Sequence, residues 1–113
     1  MKIESLGRPA HFFIPGAKWD CQKYSIKGKV VRRLIQEFLL KNYGGYTFRE
    51  GDMGMWRPKY GATYEDSMLE VKVAFKGKER IPKLQKFLAK MCKLMEEECI
   101  YLETGEDSWL IYP

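Results

Sequence analysis

The order of the hydrophobic periods constrains this chain more than any other feature. A strand-like stretch is followed by a helix-like one, two strand-like ones, a second helix-like one and a strand-like tail. Period two puts alternate side chains on one face of a strand; a period near 3.6 puts every third or fourth on one face of a helix. The alternation predicts an α+β split βαβ sandwich, with two helices on one face of a small antiparallel sheet. The other face is then left for a ligand, a partner or a second copy.

The elements follow from local signals. Ala10 to Ile14 is a short apolar run closed by Pro15-Gly16, and reads as a first strand ending in a turn. Val30, Val31, Leu34, Ile35, Phe38 and Leu39 form one stripe, which predicts a helix from Ser25 to Asn42. Ser25 suits its N-cap, and Gly44-Gly45 stops it. Tyr46 to Glu50 reads as a second strand, resumed at Met53 to Arg57 beyond a bulge or tight turn at Gly51-Asp52. Pro58 to Ser67 reads as a polar and aromatic loop. Met68 to Lys76 alternates strictly: Leu69, Val71, Val73 and Phe75 face one way, and Glu70, Lys72 and Ala74 the other. A second helix is expected from Glu79 to Glu98 on Ile81, Leu84, Leu88, Met91 and Met95, widened by Phe87 and Leu94. Its last residues, Glu96-Glu97-Glu98, oppose the helix dipole. Cys99 to Glu103, a turn at Thr104 to Asp107 and Ser108 to Tyr112 complete the sheet, the last strand being extra to the split βαβ pattern.

At 113 residues the chain is expected to be a single domain. It shows no apolar stretch of membrane-spanning length and no signal-peptide pattern before Pro15, so a cytoplasmic location without membrane contact is expected. Cys21, Cys92 and Cys99 are odd in number and lack C-x-x-C spacing; they read as structural thiols rather than as disulfides or a zinc site. The net charge of +5 is uneven. Lys18 to Tyr43 carries seven Lys/Arg against two acids, Lys76 to Glu98 seven against four, and Cys99 to Pro113 three acids and no base. The basic excess therefore sits on the two expected helices, as a solvated face or a phosphate-binding surface.

No motif of high specificity for catalysis, metal or cofactor is present, so no cofactor and no metal are expected. His11 is the single histidine; it reads as a surface or edge residue with no visible carboxylate to orient it. Trp19 reads as a hydrophobic anchor over the first helix. Polar and aromatic residues are densest from Arg49 to Asp66. The candidate ligand-binding residues are Arg49, Asp52, Trp56, Arg57, Tyr64, Glu65 and Asp66. Aromatic rings beside arginines can stack a planar ligand while the guanidinium forks hold a carboxylate or phosphate. Glu65 and Asp66 could act as acid and base or hold a metal. The structural alternative is a hairpin with cross-strand aromatic pairs.

Phe13-Ile14-Pro15-Gly16, Trp19, Gly45-Tyr46-Thr47, Gly54-Met55-Trp56 and Glu65-Asp66-Ser67 before a hydrophobic strand resemble the pattern of an uncharacterised family of small bacterial proteins, a domain of unknown function. The resemblance runs from about residue 10 to the C-terminus. It implies a ferredoxin-like βαββαβ fold and no particular activity. At fold level the chain is also similar to the signalling-protein and copper-tolerance-protein superfamily (PII and CutA), whose small units trimerise and carry a long loop where Gly51 to Ser67 lies here.

The expectation is a small homo-oligomeric module, dimer or trimer, that binds a small anionic ligand or a protein partner and is not an enzyme. Two alternatives stand beside it. One is nucleic-acid binding through the basic surface; the outward Glu70, Lys72 and Ala74 argue against it, since base stacking needs aromatics there. The other is an enzyme acting on a small anionic substrate through residues 49 to 66.

Overall fold

The computed structural model describes residues 1–56 and 64–113, with side chains outside 50–67. Five strands form one antiparallel sheet: β1 (Arg8–Pro15), β4 (Thr47–Trp56), β5 (Tyr64–Phe75), β6 (Ile100–Thr104) and β7 (Ser108–Ile111), in spatial order β4-β5-β1-β6-β7. A separate hairpin joins β2 (Ser25–Ile26) to β3 (Lys29–Val30). The helices are α1 (Gly16–Trp19), α2 (Val31–Tyr43) and α3 (Arg80–Leu94).

One face of the sheet makes the core. Ala10, Phe12 and Ile14 of β1 stand opposite Val73, Val71 and Leu69 of β5, and all six are buried. Leu102 faces Phe12, and Ile100 faces Ile111, so the same face continues across β6 and β7. The stripes Val31–Ile35–Leu39 of α2 and Leu84–Leu88–Met91 of α3 belong to this same cluster. Phe38 and Phe87 stack at 3.8 Å between ring centroids and tie the two helices together. Each of these side chains contributes about 1.5–3 kcal/mol by leaving water. Trp19 is buried in the cluster, its ring 5.9 Å from that of Phe48.

Several boundaries differ from the sequence expectation; β1 runs from Arg8 to Pro15, and α1 stands where a turn was expected. The first long helix begins at Val31, not Ser25. Lys27 (φ 52) and Gly28 (φ 79) both take left-handed backbone, which makes the two-residue turn of a tight hairpin, with Ser25 paired to Val30. The strand from Met68 starts earlier, at Tyr64, because Tyr64 to Ser67 pair with Trp56 to Met53; the expected loop is strand over that part. One residue of β4 is extra between Arg49 and Asp52, where the register shifts against β5, in keeping with the expected bulge.

The last helix ends at Leu94 rather than Glu98, and Glu96 (φ 57) turns the chain away. The acidic run therefore lies beyond the helix. The ammonium of Lys18, reaching over from α1, donates to the Met95 carbonyl at 2.7 Å and pairs with Glu97 at 2.8 Å. A cation thus satisfies the helix C-terminus, as the macrodipole favours. Gly44 closes α2 as expected, with φ 80 and its N–H bonded to the Leu40 carbonyl. Among the described residues no helix is long and apolar enough to cross a membrane.

Candidate functional site

The sheet face away from the core carries the polar chemistry. β1 lies at the centre, between β5 and β6. Since Ala10, Phe12 and Ile14 point to the core, His11 and Phe13 take the opposite face. The register sets His11 opposite Lys72 on one side and Glu103 on the other, and Phe13 opposite Glu70. Arg49 of β4 is also opposite Glu70. Four strands therefore bring His11, Arg49, Glu70, Lys72 and Glu103 onto one surface.

Glu70 is the hub. Nδ1 of His11 lies 3.2 Å from Oε1 of Glu70, and a guanidinium nitrogen of Arg49 lies 3.3 Å from Oε2. The Glu70 side chain is only 14% exposed, so its charge is poorly hydrated. Burial by itself pushes the carboxyl up; the hydrogen bond from His11 and the charges of Arg49, His11 and Lys72 together outweigh it and hold it below the ordinary carboxylate value. A carboxylate only accepts, so Nδ1 of His11 carries the proton in this contact. Whenever the ring is neutral with Nδ1 protonated, Nε2 is its acceptor. A histidine oriented by a carboxylate can take a proton from a group placed on this face.

An aromatic patch adjoins the charges. The rings of Phe13 and Tyr101 lie 5.8 Å apart, both half-buried, and Leu110 of β7 stands opposite Tyr101. The Tyr101 hydroxyl donates to Glu103 at 2.9 Å, and that bond, with burial, raises its pKa. The surface therefore offers an apolar platform beside two carboxylates and two cations.

Of the residues singled out in the sequence, Arg49 joins this network directly. The β4–β5 ladder sets Asp52 opposite Met68, Gly54 opposite Asp66, Met55 opposite Glu65 and Trp56 opposite Tyr64. Asp52, Trp56, Tyr64, Glu65 and Asp66 thus share one hairpin that continues the strands of Arg49 and Glu70; Arg57 lies outside the described residues. His11 was expected at the surface or at an edge; it lies part-exposed on the open face of the central strand, with Glu70 as its carboxylate partner. Sequence reasoning missed the pair because 59 positions separate them and only the strand register joins them. The available signal was Glu70, an acid held in the middle of a strongly apolar strand. Among the described residues no group of three His, Cys, Asp or Glu is placed to hold a metal ion.

No family model matches the chain, and no curated protein does. The resemblance to the uncharacterised family thus gains no support from them. Solved structures do match. A phage SAM lyase in complex with S-methyl-5'-thioadenosine aligns with 100% of this chain and 95% of its own, at a TM-score of 0.64 and 13% identity. The apo form of a phage SAM lyase aligns over the same shares at a TM-score of 0.64 and 11% identity. At such identity the likeness shows the fold. It also overturns the expectation of a non-enzymatic binding or regulatory module, since both of these structures are of an enzyme.

Proposed function

We propose that the protein is a lyase that cleaves S-adenosylmethionine or a closely related sulfonium nucleoside. The observation that carries this reading is the alignment of the whole chain with phage SAM lyase, including the form holding S-methyl-5'-thioadenosine. In the proposed step the bond from sulfur to the amino-acid side chain breaks, and its electron pair passes to sulfur. The sulfonium becomes the neutral thioether of S-methyl-5'-thioadenosine. The four-carbon fragment closes on its own carboxylate oxygen, or else loses a proton to a base and becomes an alkene.

The residue chemistry is in keeping with such a substrate. Its sulfonium and ammonium are cations, drawn to aromatic faces and carboxylates. Trp56, Tyr64, Asp52, Glu65 and Asp66 supply both on the β4–β5 hairpin. Arg49 and Arg57 suit the substrate carboxylate by forked hydrogen bonds. The substrate is thus a cation with one anionic end, rather than the small anion expected from the arginines alone.

The same reading takes the chain as one ferredoxin-like domain that works as a homo-oligomer. The order β4-β5-β1-β6 supports the first part, because each long crossover, β1 to β4 through α2 and β5 to β6 through α3, passes over one intervening strand. The half-buried Phe13, Tyr101 and Leu110 on the open face support the second.

The test is incubation of purified protein with S-adenosylmethionine and quantification of S-methyl-5'-thioadenosine by chromatography with mass detection. Product well above the spontaneous background is expected, falling roughly tenfold or more in the Glu65→Gln/Asp66→Asn double variant, a loss of about 1.4 kcal/mol of transition-state binding. No product above background from folded protein refutes the reading.

A further inference from the structure

A second site lies at the other end of the β4–β5 ladder from Trp56 and Tyr64. β4 begins at Thr47, paired with Lys72, so on that side β5 runs on past its last partner to Phe75. The chain between α2 and β4 bows away from this gap and leaves a cavity of about 460 Å³. That is within the usual range for small-molecule sites, roughly 300–1,000 Å³. Tyr43, Tyr46, Leu6 and Pro9 line it. Gly44 and Gly45 line it without side chains.

Leu6 reaches the cavity because Gly7, at φ 93, turns the chain across the end of β5; a methyl at Gly7 would collide with the Phe75 carbonyl. Among the described residues the one charged residue in the wall is Lys72. It is exposed, and among the described residues it has no ion-pair partner within 4 Å. An apolar, ring-lined cavity with a single ammonium at its wall matches a planar apolar body bearing one negative charge.

We propose that this cavity is a binding site for aryl carboxylates, at the opposite end of the β4–β5 ladder from Trp56 and Tyr64 and sharing Lys72 with the polar sheet face. The rings of Tyr43 and Tyr46 and the aliphatic walls take the aromatic body. Lys72 pairs with the carboxylate. Gly44-Gly45 let the ligand approach the backbone.

The test is titration of the full chain, labelled with nitrogen-15, with 2-naphthoate, followed by amide chemical shifts. Saturable shifts confined to Tyr43–Thr47 and Lys72–Ala74 are expected. The neutral 2-naphthamide should bind roughly tenfold more weakly, which is the loss of one ion pair worth about 1.4 kcal/mol. Gly45→Leu should weaken binding: Gly45 lines the cavity, its Cβ would meet nothing within 4 Å and its backbone is not left-handed, so the protein tolerates the added side chain. Lys72→Gln should weaken naphthoate to the level of the amide. Absence of saturable shifts, shifts centred elsewhere, equal affinity for acid and amide, or a folded Gly45→Leu protein that binds like the parent would each overturn the proposal.

Discussion

Replacing Lys18 by methionine should lower stability by about 2 kcal/mol, far more than an ordinary surface lysine. Lys18 is 23% exposed and its partner Glu97 only 12%, so solvent screens their contact weakly. The ammonium makes two bonds, to the Met95 carbonyl at 2.7 Å and to Glu97 at 2.8 Å, and lies 5.1 Å from the Tyr24 ring centre. A hydrogen bond to a charged group is worth about 1.5–3 kcal/mol, and breaking a fully buried ion pair costs about 3–5 kcal/mol. The partial exposure here brings the sum down to the lower end. For a domain of this size that is a fall of about 8 °C in Tm. Methionine keeps the aliphatic stem, so the loss reports the charge and its hydrogen bonds rather than packing. Glu97→Gln removes the ion pair but leaves the bond to Met95, and should cost about 1 kcal/mol. The assay is urea unfolding at neutral pH, followed by the fluorescence of Trp19, which is buried in the core one residue away. A Lys18→Met protein within about 0.5 kcal/mol of the parent would refute the reasoning, since that is the range of an uncoupled surface substitution. So would a Glu97→Gln loss equal to that of Lys18→Met, because the helix-end carbonyl would then contribute nothing.

Two further outcomes follow from the sheet and its turns. Glu70 titrates below its ordinary value of 4.5 in the folded state, so the unfolded chain binds that proton more readily and acid favours unfolding. Its contribution is complete above about pH 5 and is lost as the pH falls through the lowered value; unfolding midpoints measured from pH 6 down to pH 3 should therefore drop less steeply in Glu70→Gln than in the parent. Gly7→Ala should cost more than about 2 kcal/mol, because a left-handed backbone and a collision with the Phe75 carbonyl act together. Gly28→Ala should cost about 1 kcal/mol by the same unfolding assay, since its Cβ meets open space and only the left-handed φ opposes it.

The parts of the fold legible in the sequence were those specified within one element. The stripes of α2 and α3 and the alternation of Leu69 to Phe75 are local periods, and burial follows them, fully at Ile35, Leu39, Leu84, Leu88 and Met91 and partly at Leu34, Phe38, Ile81 and Phe87. What went unread was set by contacts between distant positions. Ser25 looks like an N-cap, and Gly28 like a weak first turn, until Lys27 and Gly28 are both left-handed; the hairpin then ends the ambiguity in favour of strands. The Glu96-Glu97-Glu98 run makes no sense as a helix end. It makes sense once Lys18, 77 positions upstream of Met95, supplies the cation that meets the helix end and pairs with Glu97. The candidate site divides in the same way. Its composition, aromatic rings among acids and arginines from Arg49 to Asp66, is visible in the chain. Its continuation onto His11 and Glu103 depends on a strand order that no spacing encodes.

The absence of a recognisable catalytic motif becomes intelligible with the proposed reaction. Motifs of fixed spacing serve chemistry that must create reactivity: a base beside a serine, ligands around a metal, glycines around a phosphate. A sulfonium already carries a good leaving group, and the departing thioether needs no proton. In the proposed reaction the protein's task is to hold a flexible cation in a reactive conformation and to keep water from competing, both of which are matters of orientation and local charge. Carboxylates and rings anywhere on a rigid surface can do that, so selection has no reason to place them at set intervals. A mixed field is what such a substrate needs, since uniform negative charge would repel its carboxylate and uniform positive charge its sulfonium. On the open sheet face Glu70 lies between His11 and Arg49, and Glu103 stands opposite His11. The net charge of +5 is therefore no measure of this surface: its excess lies on the helices, and on the sheet face Glu70 lies within hydrogen-bond reach of His11 and Arg49.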